Sequence, residues 1–270
     1  MQYSLSQESF SREPDLIIGG NLEAPNVLVF IHGFGGNNDN WRFITPAFEK
    51  NYKIVLFSLM RQIFLKEYNL QDYAKSLIQA LTENHLSAVT VIAHSVGGTL
   101  GAIAACQAPH LFKNLILIGT SPRYLNDENY VGGFTSQMSA DILLEMGDNY
   151  ADWLMRHAPR IMNAPTQPAL AEEFIQCLLR LRPDVALVVF QLIIQADYRQ
   201  LFAQLPTPTL IIESQDDIFV PPAVGEYLQR VIPHSQLQAI EAQGHFPHLS
   251  QPQKVIEAIA NYLKQPSPAQ

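Results

Sequence analysis

The sequence predicts an α/β fold, with a mainly parallel sheet, helices on both of its faces and an inserted helical cap. Three observations carry this. Short runs such as Val27-Leu28-Val29-Phe30-Ile31 are apolar at every position instead of every second one, as expected of strands covered on both faces. These runs alternate with amphipathic helical stretches at both ends of the chain, the rhythm of parallel strands joined by crossover helices. Between about Ser121 and Leu205 the rhythm breaks, helical patterns follow one another with no convincing strand, and an insertion between two sheet strands is the simplest account.

In order, Val27–Ile31 and Ile54–Phe57 read as buried strands and Leu70 to Glu83 as a helix. Val89 to Ala93 is the next strand, followed by a small-residue helix from Val96 to about Gln107 and a strand at Leu115–Ile118. The inserted stretch shows apolar helix faces at Leu143-Leu144-Met146, Trp153-Leu154, Phe174-Ile175-Leu178-Leu179 and Val185 to Ile194. The alternation resumes with a strand at Thr209–Glu213, a helix from near Pro222, a short strand around Leu237 and a last helix from Gln253 to Lys264. Gln265-Pro266-Ser267-Pro268 reads as a frayed tail. The expected division is a core of residues 1–120 and 206–270 with a cap of residues 121–205.

Composition narrows the function. A chain of 270 residues, 47% of them hydrophobic, is long enough for one well-buried core. Its net charge of −8 repels phosphate backbones and anionic lipid surfaces, so a nucleic-acid role is not expected. Met1 to Glu8 has neither a basic start nor an apolar run, and no later stretch is long enough to span a bilayer. The expectation is a cytoplasmic protein without membrane contact. Of the two cysteines, neither Cys106 nor Cys177 has a paired spacing that suggests a metal site or a disulfide framework, and both read as core residues.

The chemistry centres on Ala93-His94-Ser95-Val96-Gly97-Gly98, where an apolar strand leads through a serine into a helix. A serine displayed on a sharp strand-to-helix turn needs small neighbours on both sides, which Ala93 and Gly97 supply. Such a serine needs a base to take its proton and an acid to orient that base. His245, in Gly244-His245-Phe246-Pro247-His248, is the expected base, and His248 is expected to pack under the loop or start the following helix. Two acids, Asp216 and Asp217, follow the strand Thr209–Glu213 at the sheet edge where ligand-facing loops gather. Either could serve as the acid, and turn capping is the other role open to Asp216. An oxyanion formed at Ser95 would be met by the Val96 amide and by a second amide, assigned to Phe34, from His32-Gly33-Phe34-Gly35-Gly36. The same glycines could cradle a phosphate, but the Gly-Lys-Ser/Thr ending of such loops is missing. His32, at the end of a buried strand, reads as structural.

These residues resemble the α/β-hydrolases, in particular the bacterial stress-response regulators of the RsbQ type and the plant strigolactone and karrikin receptors. The resemblance runs over most of the chain and includes His32-Gly33-Phe34-Gly35, His94-Ser95-Val96-Gly97-Gly98, Ser121-Pro122-Arg123-Tyr124-Leu125-Asn126, Gly132-Gly133-Phe134, Asn149-Tyr150-Ala151-Asp152-Trp153, Asp197-Tyr198-Arg199 and Gly244-His245-Phe246-Pro247-His248. It implies the α/β-hydrolase fold, a triad of Ser95, Asp217 and His245, oxyanion donors at Phe34 and Val96, and a V-shaped cap of four helices over an apolar pocket. Tyr124, Phe134, Trp153, Phe190 and Ile194 are expected to line that pocket. His157 and Ile194 stand where the plant receptors carry aromatic residues, so His157 should add one polar spot. The chain departs from the family after Ile54–Phe57, where Ser58-Leu59-Met60-Arg61-Gln62 replaces an Asp-x-x-Gly-x-Gly-x-Ser pattern.

The activity implied is serine-type hydrolysis of a small apolar ester or lactone. No metal, nucleotide or other cofactor is expected. A serine at the elbow excludes the carboxylate-dependent dehalogenases and epoxide hydrolases of this fold, and leaves C–C bond hydrolysis and perhydrolysis open. The stress-response relatives imply a second role, a regulatory protein partner of phosphatase type bound through the cap.

Overall fold

The computed structural model describes residues 11–12, 16–59 and 69–265. The readings made on Met1 to Glu8, on Met60-Arg61-Gln62 and on Pro266-Ser267-Pro268 lie outside the described residues.

The strands are β1 (Ser11–Arg12), β2 (Leu16–Gly20), β3 (Val27–Ile31), β4 (Lys53–Phe57), β5 (Val89–His94), β6 (Phe112–Ile118), β7 (Thr209–Asp216) and β8 (Ser235–Gln243). They form one sheet in the order β1-β2-β4-β3-β5-β6-β7-β8. All pairings from β4 through β8 are parallel, and β1 and β2 add an antiparallel edge. That edge was not anticipated, because β2 has only three apolar residues before its paired glycines. β8 is longer than the short strand expected around Leu237. As the last strand it is covered incompletely, and exposed residues at Gln236, Ala239, Glu241 and Gln243 interrupt its apolar signal.

The continuously apolar strands serve two cores. Val29, Val55, Val91, Leu117 and Ile211 face helices α1 (Leu70–Glu83) and α2 (Val96–Gln107), while Phe30, Leu56, Ile92, Ile116 and Leu210 face the opposite layer with Trp41 and Ile44. Four helices, α3 (Ser136–Asp148), α4 (Tyr150–Met162), α5 (Ala169–Leu178) and α6 (Pro183–Gln195), fill the sequence between the adjacent parallel strands β6 and β7. α3 packs on α4 and α6, and α4 on α5. A fifth helix of that interval, α7 (Arg199–Ala203), packs instead on α2 and on α8 (Pro222–Val231). The chain closes with α9 (Pro247–Ser250) and α10 (Pro252–Leu263), whose Val255, Ala258 and Ile259 complete the second core. Among the described residues no helix is long and apolar enough to cross a membrane.

Candidate active site

Four loops meet at the carboxyl ends of the parallel strands, the edge where open α/β sheets place ligands. Ser95 links β5 directly to α2 at φ 54° and ψ −126°, a conformation that non-glycine residues rarely adopt. Its own amide donates to the Ile118 carbonyl at 2.9 Å, and crowding around it explains the small neighbours. A Cβ on Gly97 would stand 2.5 Å from the His32 carbonyl oxygen, and one on Gly33 would stand 2.9 Å from Ser95 Cβ.

His245 Nε2 lies 2.9 Å from Ser95 Oγ, and His245 Nδ1 lies 2.7 Å from Asp217 Oδ2. All three side chains are buried. Asp217 is oriented by accepting the Phe219 and Val220 amides at Oδ1, at 2.8 and 3.1 Å. The carboxylate therefore accepts a hydrogen bond from His245 Nδ1–H, which keeps the proton on that nitrogen and leaves Nε2 free to accept from the serine hydroxyl. Asp216, the alternative acid, points outward and accepts from Asn163 Nδ2 at 3.0 Å.

The Gly33 loop lies against Ser95, and among the described residues neither the Phe34 nor the Val96 amide donates to a protein acceptor. His32 stays beneath this loop. Its Nδ1 donates to the Gly33 carbonyl at 2.9 Å, its Nε2 accepts from the Leu59 amide at 3.1 Å, and burial pulls its pKa down to about 4. His248 is the second residue of α9, wholly buried and stacked on Trp41 at 4.7 Å.

A cavity of about 40 Å³ opens over Ser95 and His245. Of the residues expected in its wall, Tyr124, Trp153, Phe190 and Ile194 are there, as is Phe34. Phe134 and His157 are not. Phe134 stacks behind Phe219 at 5.5 Å, and His157 lies behind Trp153 at 5.3 Å with its Nε2 3.2 Å from Glu145 Oε2 on α3. A partner on the neighbouring helix thus accounts for this polar side chain without a place in the pocket. The wall also includes Phe174, Leu178, Phe219 and Phe246, none of which the sequence reading assigned to it. Phe246 and Phe219 could have been found from their places one and two residues beyond the expected base and acid; Phe174 and Leu178 carried only an apolar helix pattern. Tyr124 comes closer to the chemistry than expected. Its hydroxyl is 3.2 Å from Ser95 Oγ; burial raises its pKa and keeps it protonated, and with the serine hydrogen directed to His245 Nε2, Tyr124 is the donor of the pair.

Residues 26–252 match the family model described as the alpha/beta hydrolase fold. The chain belongs to the α/β-hydrolase family. This hydrolase is 34% identical over 247 residues to a probable esterase of Oryza sativa subsp. japonica, a match that covers 88% of this chain and 91% of that protein. It is 32% identical over 246 residues to a strigolactone esterase of Arabidopsis thaliana, covering 88% of this chain and 92% of the relative. Among solved structures, a hydrolase from Oleispira antarctica superposes with a TM-score of 0.86 at 27% identity, covering 93% of the hydrolase and 94% of that chain.

Proposed function

We propose that the protein hydrolyses small apolar esters or lactones through an acyl-serine intermediate, with Ser95 as nucleophile, His245 as general base and Asp217 as its orienting acid. The observation that carries this reading is the continuous chain of hydrogen bonds from Ser95 Oγ through His245 to Asp217, at 2.9 and 2.7 Å. As Ser95 Oγ bonds to the substrate carbonyl carbon, its proton passes to His245 Nε2, and the imidazolium is stabilised by Asp217. The oxygen gains negative charge facing the Phe34 and Val96 amides. Collapse expels the alcohol, which takes the proton from His245. Water then gives a proton to the same nitrogen as it attacks the acyl carbon; the Oγ–acyl bond breaks, Ser95 Oγ takes that proton back from His245, and the carboxylic acid leaves.

The size and carbon-rich lining of the cavity favour a short, apolar acyl group, since about 40 Å³ holds only a few water-sized positions. Residues 121–205 act as the cap that keeps bulk water away. Ser95→Ala should lower the rate on p-nitrophenyl acetate by about 10³-fold or more. Equal rates for the variant and the wild type would sink the reading.

A second role, docking of a regulatory protein on the cap, is favoured by exposed apolar side chains there, notably Leu144 (72% exposed) on α3 and Met155 (67%) on α4. A relative at 34% identity is named karrikin insensitive 2 receptor CA, from Petunia hybrida. Leu144→Asp together with Met155→Asp should abolish recovery of a partner from the native host while ester hydrolysis is unchanged. Identical recoveries on the two baits would reject it.

A further inference from the structure

His245 sits on a loop, outside any strand or helix, yet both polar groups of its backbone are paired. Its amide donates to the Ile161 carbonyl at the end of α4, at 2.9 Å. Its carbonyl is 2.7 Å from Nε2 of His94. A carbonyl only accepts, so His94 carries its proton on Nε2. The imidazole is wholly buried, and burial together with the neighbouring His248 and His245 lowers its pKa well below the ordinary value, which keeps it neutral with that single proton. Its Nδ1 has no hydrogen-bond partner among the described residues and lies 2.8 Å from where a Cβ on Gly33 would stand. The ring is also 4.6 Å from that of Phe246, the residue after the base. One side chain, adjacent in sequence to Ser95, therefore touches both the oxyanion loop and the loop of the general base.

We propose that His94 is a positioning residue for hydrolysis: held as the Nε2–H tautomer, it grips the His245 peptide by its carbonyl and bears on Gly33, fixing base and oxyanion loop relative to Ser95. The proposal rests on the reading of Ser95 as nucleophile and His245 as base. Its physical basis is the steep dependence of proton transfer on geometry, since a misplacement of about 1 Å costs on the order of 10²-fold in rate.

Two variants separate the hydrogen bond from the space the ring fills. His94→Phe keeps a ring and removes the donor, whereas His94→Gln offers an amide N–H at similar reach. On p-nitrophenyl acetate, His94→Phe should lose about 10²-fold in kcat with KM within about two-fold, and His94→Gln should return to within about five-fold of wild type. Wild-type kcat in His94→Phe, or equal losses in both variants, would overturn the proposal. A measurement on the wild-type protein needs no variant to fold: ¹⁵N NMR at pH 7 should show the His94 ring protonated at Nε2 and bare at Nδ1, and the opposite tautomer overturns the idea. Retained turnover in Ser95→Ala would instead defeat the nucleophile assignment, and the tautomer result would stand apart from it.

Discussion

Ser95 is held in a backbone conformation that costs on the order of 1–3 kcal/mol in isolation, and it persists because its surroundings leave no alternative. Its amide is tied to β6 through Ile118, and the helix that begins at Val96 presses against the carbonyls of Ile31 and His32 at Gly97. The strain turns the hydroxyl out of the sheet toward His245. These constraints are local, so the strand-to-helix turn at Ser95 is marked in the sequence by the apolar run before it and the small residues Ala93 and Gly97, while the choice of Asp217 over Asp216 came from the resemblance of Asp217-Ile218-Phe219-Val220-Pro221 to the family pattern. The place of His94 was not legible. Its partner is a carbonyl 151 positions away, and a buried histidine beside the nucleophile has the same appearance in sequence whether it fills space or holds a loop. The misplacement of His157 has a similar cause. Its position was inferred by analogy with aromatic residues, while the side chain has a carboxylate within reach on α3.

At the scale of elements, the strands that report themselves most clearly are those buried along their whole length, which is why β3 and β5 were readable in full, while β1 and β2 were not read and β8, at the sheet edge, was read only as a short strand around Leu237. The four helices between β6 and β7 were legible as apolar helical faces, but which of their apolar residues reach the cavity depends on how they are tilted over the sheet. α5 shows the consequence. Its Phe174 and the core residue Phe246 form the shared wall between the cavity over Ser95 and a cleft of about 490 Å³ bounded by α5 and the loop after β3. Phe246 is fixed among His94, His245 and His248, so Phe174, packed over Gly35, is the removable part of that wall. Phe174→Ala should join the two spaces. The ratio of kcat/KM on p-nitrophenyl octanoate to that on acetate should rise about ten-fold or more, with a stability loss of about 3–5 kcal/mol from the deleted ring. An unchanged ratio in a folded variant would show that this ring does not limit substrate size.

Across the whole molecule, the buried imidazoles make stability depend on pH. His32 is lowered to about 4 by burial, His248 to about 3 by burial and the nearby His245, and His94 well below the ordinary value of 6.5. Below pH 6.5 the unfolded chain takes up protons that these folded-state sites refuse, so each lowers stability as pH falls toward its folded value. Glu213 acts in the opposite direction. Burial and the adjacent charge of Asp217 raise its pKa, so above pH 4.5 the unfolded chain releases a proton that the folded one keeps, and stability falls as pH rises. Between pH 6.5 and 4.5 the three imidazoles lower stability on acidification and the carboxyl works against them. His248→Phe isolates one contribution, because neither of its ring nitrogens has a hydrogen-bond partner among the described residues and a phenyl ring can stack on Trp41 in its place. The variant should match or exceed wild-type stability at pH 7 and lose measurably less between pH 6.5 and 4.5, read as a smaller shift of the urea midpoint. Equal shifts in the two proteins would mean that His248 is protonated in the folded state as readily as in the unfolded chain.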